Sequence, residues 1–244
     1  MLPRMSLYML KRISRDLVSL AILFITPLVL ITILGLVADE AMNELLGLRQ
    51  VDVVAVTMIL AFQLFAGFYT LELMQQDLLK DRKWRIRSLP IPITHYMYSI
   101  LIVTVFYGGL QSYALTQYTR IVYDVTWGDQ LRLVPAIFLI SLFIQSVYLN
   151  IALYLKNFKT MERTATGLGL FSMLVGGVWF QMPDQPILNF LGTYGNPFSL
   201  AQNILIDGMR SKVSTEGLIS TGILVFLILL LNALGFHRGR SVHV

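Results

Sequence analysis

The chain has 244 residues, of which 56% are hydrophobic and 14% charged, and it contains no cysteine. Soluble globular proteins carry about 25% charged residues, so this composition excludes a soluble enzyme and a disordered protein. The absence of cysteine excludes disulfides, iron–sulfur clusters and thiol catalysis. The formal net charge is +5. We attribute this basic balance to membrane orientation and lipid headgroups, and expect no nucleic-acid partner.

Six long stretches without charged residues account for most of the chain. Each has about the 20 residues that a helix needs to cross the hydrocarbon core, and none shows the two-residue alternation of a membrane β-barrel. The predicted spans cover residues 17–38, 53–73, 96–119, 133–155, 164–183 and 217–236. We therefore predict an all-α integral membrane protein with six transmembrane helices in one domain, residues 1–244.

The basic residues predict the orientation of these spans. With a cytoplasmic N-terminus and six spans, the cytoplasmic segments hold 14 of the 19 lysines and arginines. This asymmetry follows the positive-inside rule, whereas a seventh span would place Arg238 and Arg240 outside. We expect both termini to be cytoplasmic, and the protein to lie in the plasma membrane of a bacterium.

Residues 1–17 have the pattern of an amphipathic helix, and we predict an interfacial helix over residues 1–16. The apolar side holds Leu2, Met5, Met9, Leu10, Ile13 and Leu17, and the basic side holds Arg4, Lys11, Arg12 and Arg15. Such a helix would lie in the cytoplasmic headgroup plane with its apolar side towards the lipid. The alternative is an ordinary basic flank of the first span.

Between the last two spans, the uncharged stretch 185–206 contains Gly195, Asn196 and Pro197 near its centre. These residues would break a helix. We therefore predict two short helical pieces within an outer re-entrant segment, residues 184–216.

The sequence nominates no catalytic, metal-binding or cofactor-binding residue. It contains no Gly-x4-Gly-Lys-[Ser/Thr] phosphate loop, and its three histidines lack the spacing of a helical metal site. The polar residues inside the predicted spans are Gln63, Gln111, Gln145, Asn150 and Asn232. They either form hydrogen bonds between helices or line a transport path. The path would otherwise be apolar and aromatic, with Phe62, Phe65, Phe68, Tyr69, Phe106 and Tyr107 as candidates.

Residues 75–92, QQDLLKDRKWRIRSLPIP, predict a cytoplasmic coupling segment between spans two and three. A helix here would carry Leu78, Leu79, Arg82 and Ile86 on one face, and the two prolines would end it. Trp84 lies among five basic residues, and buried Trp and Arg are typical anchors of protein interfaces. The alternative is a charged cluster at the lipid surface.

The order of these elements resembles the permease subunit of ABC-2-type exporters. Two motifs carry the resemblance. The first is residues 82–91, RKWRIRSLPI, placed like the cytoplasmic coupling helix of that family. The second is residues 176–183, GGVWFQMP, followed by Pro-Ile-Leu at 186–188 and Gly-Asn-Pro-Phe at 195–198. The Glu-Arg and Gly-Thr that the family usually carries before the coupling turn are replaced here by Asp77 and residues 80–83.

The resemblance implies that the coupling helix contacts a separate ATPase subunit. Its residues are Asp81, Arg82, Lys83, Trp84, Arg85 and Ile86. ATP and Mg would bind to that partner, and this chain would bind no cofactor and catalyse no reaction. A second permease protomer, identical or similar, would complete the path.

We therefore predict the membrane-spanning permease subunit of an ATP-driven exporter. The apolar candidate path suits a hydrophobic or amphipathic cargo such as a peptide, a lipid-linked molecule or a drug. The alternative is a non-transporting membrane sensor or scaffold that docks a cytoplasmic partner. An intramembrane enzyme acting on lipid is a further alternative, although the sequence shows no reactive cluster.

Overall fold

The computed structural model describes residues 2–37, 42–43, 47–78, 80, 82–88, 92–155, 157–176, 185–210 and 214–241. These residues form helices and one short hairpin. The helices are α1 Leu2–Ile13, α2 Leu17–Val37, α3 Gln50–Leu78, α4 Lys83–Arg87, α5 Ile93–Tyr123, α6 Gln130–Tyr154, α7 Phe158–Val175, α8 Pro186–Thr193, α9 Pro197–Met209 and α10 Thr215–Ser241. The hairpin pairs β1 Met42–Asn43 with β2 Leu48–Arg49 in antiparallel fashion.

Five of the described helices are long and apolar enough to cross a membrane, namely α2, α3, α5, α6 and α10. The prediction of an all-α integral membrane protein is thereby confirmed. The predicted span 164–183 coincides only in part with α7, which has 18 residues and carries Lys159, Glu162 and Arg163 in its first two turns. Residues 177–183 of that span lie outside the described residues. The count of six spans therefore stays a prediction.

The core of the bundle lies between α3, α5 and α6, which pack on one another. Their inward faces carry most of the buried apolar side chains. The first span, α2, is peripheral, because only Pro27 and Ile31 of its side chains are buried. On the other side α10 packs on α6 and α9. The central helices are thus shielded by protein, while α2 and α10 present apolar surfaces suited to lipid or to another membrane protein.

The predicted break in the stretch 185–206 is present, since α8 ends at Thr193 and α9 begins at Pro197. Asn196 caps α9 by accepting a hydrogen bond from the amide of Phe198 at 3.2 Å. Its side-chain amide donates to the carbonyl of Ser172 in α7 at 2.7 Å. Asn196, at the break, therefore ties the start of α9 to α7. The predicted entry of this segment into the membrane stays a prediction.

One close helix approach sets a strict size limit at Gly67 in α3. A Cβ atom on this residue would lie 2.5 Å from the ring of Tyr148 in α6. Overpacking of this kind costs about 1–3 kcal/mol, so we expect Gly67→Ala to lower the thermal stability of the detergent-purified protein. Gly222→Ala in α10 is the control, because no heavy atom lies within 4 Å of that position. It should leave stability unchanged or raise it by up to about 1 kcal/mol. Equal unfolding midpoints for the two variants would refute this assignment of the α3–α6 contact.

Candidate functional site

The coupling segment has a different structure from the predicted one. The span helix α3 continues through Gln75 to Leu78, and only the five residues of α4, Lys83–Arg87, form a separate helix. The predicted single face of Leu78, Leu79, Arg82 and Ile86 is therefore wrong, because Leu78 belongs to α3. Leu79 lies outside the described residues. The last turn of α3 is instead held in the bundle by the hydrogen bonds of Asp77 to Arg12 and Tyr96.

The six predicted ATPase-contact residues have unequal surroundings. Trp84 is 72% exposed and Ile86 only 8%, so the two cannot share one role. The ammonium of Lys83 lies 5.4 Å from the centroid of the Trp84 ring, within cation–π distance. Arg85 lies in α4, and Asp81 lies outside the described residues. The exposed side of α4 thus presents the ring of Trp84 with the cation of Lys83 beside it.

A buried carboxylate, Asp77, lies beneath this exposed surface. Its side chain has no solvent exposure, and its Oδ2 accepts hydrogen bonds from Arg12 Nη1 at 2.6 Å and from the Tyr96 hydroxyl at 2.5 Å. Its other oxygen, Oδ1, lies 3.6 Å from Arg82 Nη1, close enough for an ion pair but not for a hydrogen bond. These four residues form what we name the Asp77 cluster.

The Asp77 cluster connects four parts of the chain. Arg12 comes from α1, Asp77 from α3 and Tyr96 from α5, and Arg82 immediately precedes α4. Oδ1 of Asp77 has no hydrogen-bond donor among the described residues. A small approach of Arg82 would supply one. A displacement of α4 therefore changes the contacts of a carboxylate that three other helices share.

Arg12 departs from its predicted position on the solvent side of the first helix. Burial by itself lowers the pKa of the Arg12 guanidinium, but the hydrogen bond and negative charge of Asp77 more than offset this effect, so the pKa lies above its ordinary value. Arg12 therefore stays charged and pairs with Asp77. Arg12 reaches inward here because its guanidinium forms a charge-assisted hydrogen bond with the buried carboxylate of Asp77.

Helix α1 has the predicted amphipathic pattern, since Met9 and Ile13 are buried while Arg4 and Lys11 are exposed. Its apolar side, predicted to face lipid, packs in part on α5. The bond from Arg12 to Asp77 fixes one end of this contact. The predicted membrane-surface helix is thus attached directly to the bundle.

A groove of about 540 Å³ lies between α2, α3 and α7. Four of the six predicted path aromatics line it, namely Phe62, Phe65, Phe68 and Tyr69. The rings of Phe62 and Phe65 are 5.9 Å apart and those of Phe65 and Phe68 6.3 Å apart, so the rings form a continuous stripe. Glu72 and Glu162 add two carboxylates to the lining.

The other two predicted path aromatics, Phe106 and Tyr107, do not line this groove. Phe106 instead borders a separate surface groove beside α1. The two residues lie on different faces of α5. Gln111 faces the groove of α2 and α3, whereas Phe106 faces α1.

The predicted polar residues of the spans form hydrogen bonds between helices. Gln63 donates to the carbonyl of Ile137 at 3.3 Å, and Asn150 to that of Leu231 at 2.9 Å. Gln145 accepts a hydrogen bond from Thr70. Gln111 donates to the carbonyl of Leu23 at 2.7 Å, and it also lines the groove. Asn232 donates to the hydroxyl of Ser146 at 3.1 Å. Of the five residues, Gln111 is therefore the one that combines a helix contact with the groove.

Sequence reasoning did not identify Asp77, Arg12 and Tyr96 as one cluster. Arg12 and Asp77 are 65 residues apart, so no local spacing relates them. One signal was present, namely a carboxylate at 77 flanked by Leu73, Met74 and Leu78. An acid in such apolar surroundings requires a partner.

Five of the described helices are long and apolar enough to cross a membrane, and the exposed segment at α4 is joined to them through the buried Asp77. This arrangement is that of a multi-pass membrane protein. The sequence model of the family described as ABC-2 type transporter matches residues 5–209. The chain belongs to this family. No curated protein matches the chain. The chain is thus a membrane permease of the ABC-2 type, and membership of the family implies an ABC-type ATPase as partner.

Proposed function

We propose that the chain is the membrane-spanning permease subunit of an ATP-driven exporter in a bacterial plasma membrane, with six spans and both termini in the cytoplasm. The ATPase subunit docks on residues 81–86, and it alone binds ATP and Mg. The observation that carries this proposal is the Asp77 cluster. It links the exposed α4 with α1, α3 and α5, so a force on the docking segment reaches the spans.

The mechanism follows from the two oxygens of Asp77. One oxygen holds Arg12 and Tyr96, whereas the other is free to take a hydrogen bond from Arg82. Closure of the ATPases presses α4 inward and brings Arg82 onto Asp77. This new contact favours a different arrangement of α1 and α3 from the one in this structure. Nucleotide binding supplies the difference in free energy between the states that any such shift requires.

Two protomers form the path in this proposal. The groove between α2, α3 and α7 is open on one side, and Phe65 in its wall is 56% exposed. A second protomer, identical or similar, closes it and covers the apolar surface of α2. Aromatic rings with two carboxylates in one lining suit an amphipathic cargo better than a purely apolar one.

The proposal is tested by purifying the tagged chain from its native membrane in mild detergent. We expect a co-purifying soluble subunit with a Gly-x4-Gly-Lys-[Ser/Thr] loop, ATP hydrolysis in the eluate, and two copies of this chain or one copy each of two permeases by native mass spectrometry. A preparation without ATPase in several detergents and in nanodiscs would contradict the exporter, and it would favour a membrane sensor or scaffold.

A further inference from the structure

A further cavity borders α3 on a different face from the groove that Phe62, Phe65 and Tyr69 line. It has a volume of about 260 Å³ and lies between α3, α6, α7, α9 and α10. Its lining is almost wholly apolar, and it includes Leu64, Phe143, Leu168, Phe198 and Leu230. An apolar cavity of about 150 Å³ stays free of water and binds benzene. This larger cavity therefore suits a hydrocarbon rather than water.

The cavity opens towards the surroundings of the bundle between α7 and α10. Leu168 in α7 and Leu230 in α10 both line it, and both are 45% exposed. Leu64, Phe143 and Leu230 fall within the middle third of α3, α6 and α10 respectively. At this depth a spanning helix is surrounded by lipid chains. Lipid chains of the surrounding membrane can therefore reach this opening directly.

Two polar side chains, those of Tyr148 and Ser172, line this otherwise apolar cavity. The Tyr148 side chain is 2% exposed, and its hydroxyl has no hydrogen-bond partner among the described residues. A buried hydroxyl without a partner is unfavourable. An occupant that carries a hydrogen-bond-accepting oxygen beside its hydrocarbon chain supplies the partner that this hydroxyl needs.

We propose that this cavity binds one acyl chain of a membrane phospholipid, with the Tyr148 hydroxyl donating to an ester oxygen of that lipid. Tyr148 lies six residues before the end of α6 at Tyr154, about 9 Å along the helix axis. The ester therefore enters from the leaflet on the Tyr154 side. The chain then extends alongside α6 towards Ile140, another lining residue about 12 Å further along the helix. The bound chain fills the space at which five helices meet, so it acts as part of the packing of the bundle.

The test uses the full chain in nanodiscs that contain phosphatidylcholine with a photoactivatable diazirine near the end of one acyl chain. After irradiation, labelled residues are mapped by mass spectrometry. We expect label on Phe198 and Ala201 of α9, which line the cavity and are only 5% and 4% exposed. Label on the exposed Phe226 and Leu229 of α10 reports ordinary surrounding lipid. Label confined to such exposed residues would overturn the proposal.

A matched pair of glycines in α7 provides the control. Gly169 is buried and lines the cavity, with Leu64 Cδ1 3.8 Å from the position of an added Cβ, so Gly169→Leu fills the space. Gly167 has no heavy atom within 4 Å, so Gly167→Leu adds the same side chain outside. We expect label on α9 to fall at least fivefold in Gly169→Leu and to stay unchanged in Gly167→Leu. Equal label in both variants would overturn the proposal.

Tyr148→Phe tests the hydroxyl while preserving the shape of the ring. The wild-type chain should take up label on α9 more from the ester-linked probe than from a matched ether-linked probe, and Tyr148→Phe should remove this preference. An unchanged preference would refute the hydrogen bond. Because all these measurements record lipid contact, they do not depend on ATPase binding or transport.

Discussion

Replacing Asp77 with asparagine should lower the stability of the protein far more than neutralising an exposed carboxylate. The Asp77 side chain is fully buried and pairs with Arg12, which keeps 30% exposure. Removal of one partner of a buried ion pair costs about 3–5 kcal/mol. Since water reaches part of Arg12, we expect a loss at or below the lower end of this range, roughly 2–3 kcal/mol. The measurement is the midpoint of thermal unfolding in detergent, followed by size-exclusion chromatography.

Glu162→Gln is the control for Asp77→Asn, because it removes the same charge from an exposed residue of α7. It should change the free energy of unfolding by no more than about 0.5 kcal/mol, as surface substitutions usually do. If Asp77→Asn proved as stable as Glu162→Gln, the Asp77 cluster would not hold the helices together.

The double variant Arg12→Met with Asp77→Leu separates stability from coupling. Replacement of a whole buried ion pair by apolar residues of similar volume is often neutral, so the fold should recover. Arg82 is 51% exposed and can turn to water. ATP hydrolysis by the assembled transporter should then continue while cargo export stays impaired. Restored export in this stable variant would show that the cluster has only a packing role.

Five of the predicted spans coincide with long apolar helices, but the ends of those helices could not be predicted from the sequence. The predicted span 53–73 lies inside α3, Gln50–Leu78. An uncharged stretch marks only the residues that fit into the hydrocarbon core. The helix itself continues beyond that stretch where its charged side chains pair with other parts of the protein. Asp52 pairs with Arg49 at one end of α3 and Asp77 with Arg12 at the other. These partners lie in segments that the span pattern excludes.

The aromatic residues that line the groove could be predicted only for α3. Phe62, Phe65 and Tyr69 follow three- and four-residue steps along α3, so the helical repeat places them on one face. Which face of α5 meets them depends on how α1 and α2 pack around that helix. Phe106 therefore could not be assigned from its own helix alone. Periodicity fixes which residues share a face, and packing decides what that face meets.

Replacing Trp84 with alanine should weaken binding of the ATPase subunit without destabilising the permease. The ring is 72% exposed, so its removal should change the free energy of unfolding by no more than about 0.5 kcal/mol. A tryptophan at the centre of an interface contributes about 2 kcal/mol or more, which corresponds to roughly 30-fold weaker binding. The measurement is the affinity of the purified permease for the ATPase subunit recovered by co-purification.

Tyr8→Ala and Ile86→Ala make this prediction specific. Tyr8 is an exposed aromatic of α1, at 74%, and its loss should leave ATPase affinity unchanged. Ile86 is buried, at 8%, so Ile86→Ala should reduce stability and affinity together. Trp84→Ala is thus the one of the three that isolates docking. If Trp84→Ala kept full affinity for the ATPase, the ring would anchor α4 in the lipid headgroups, and docking would depend on other residues of the cytoplasmic surface.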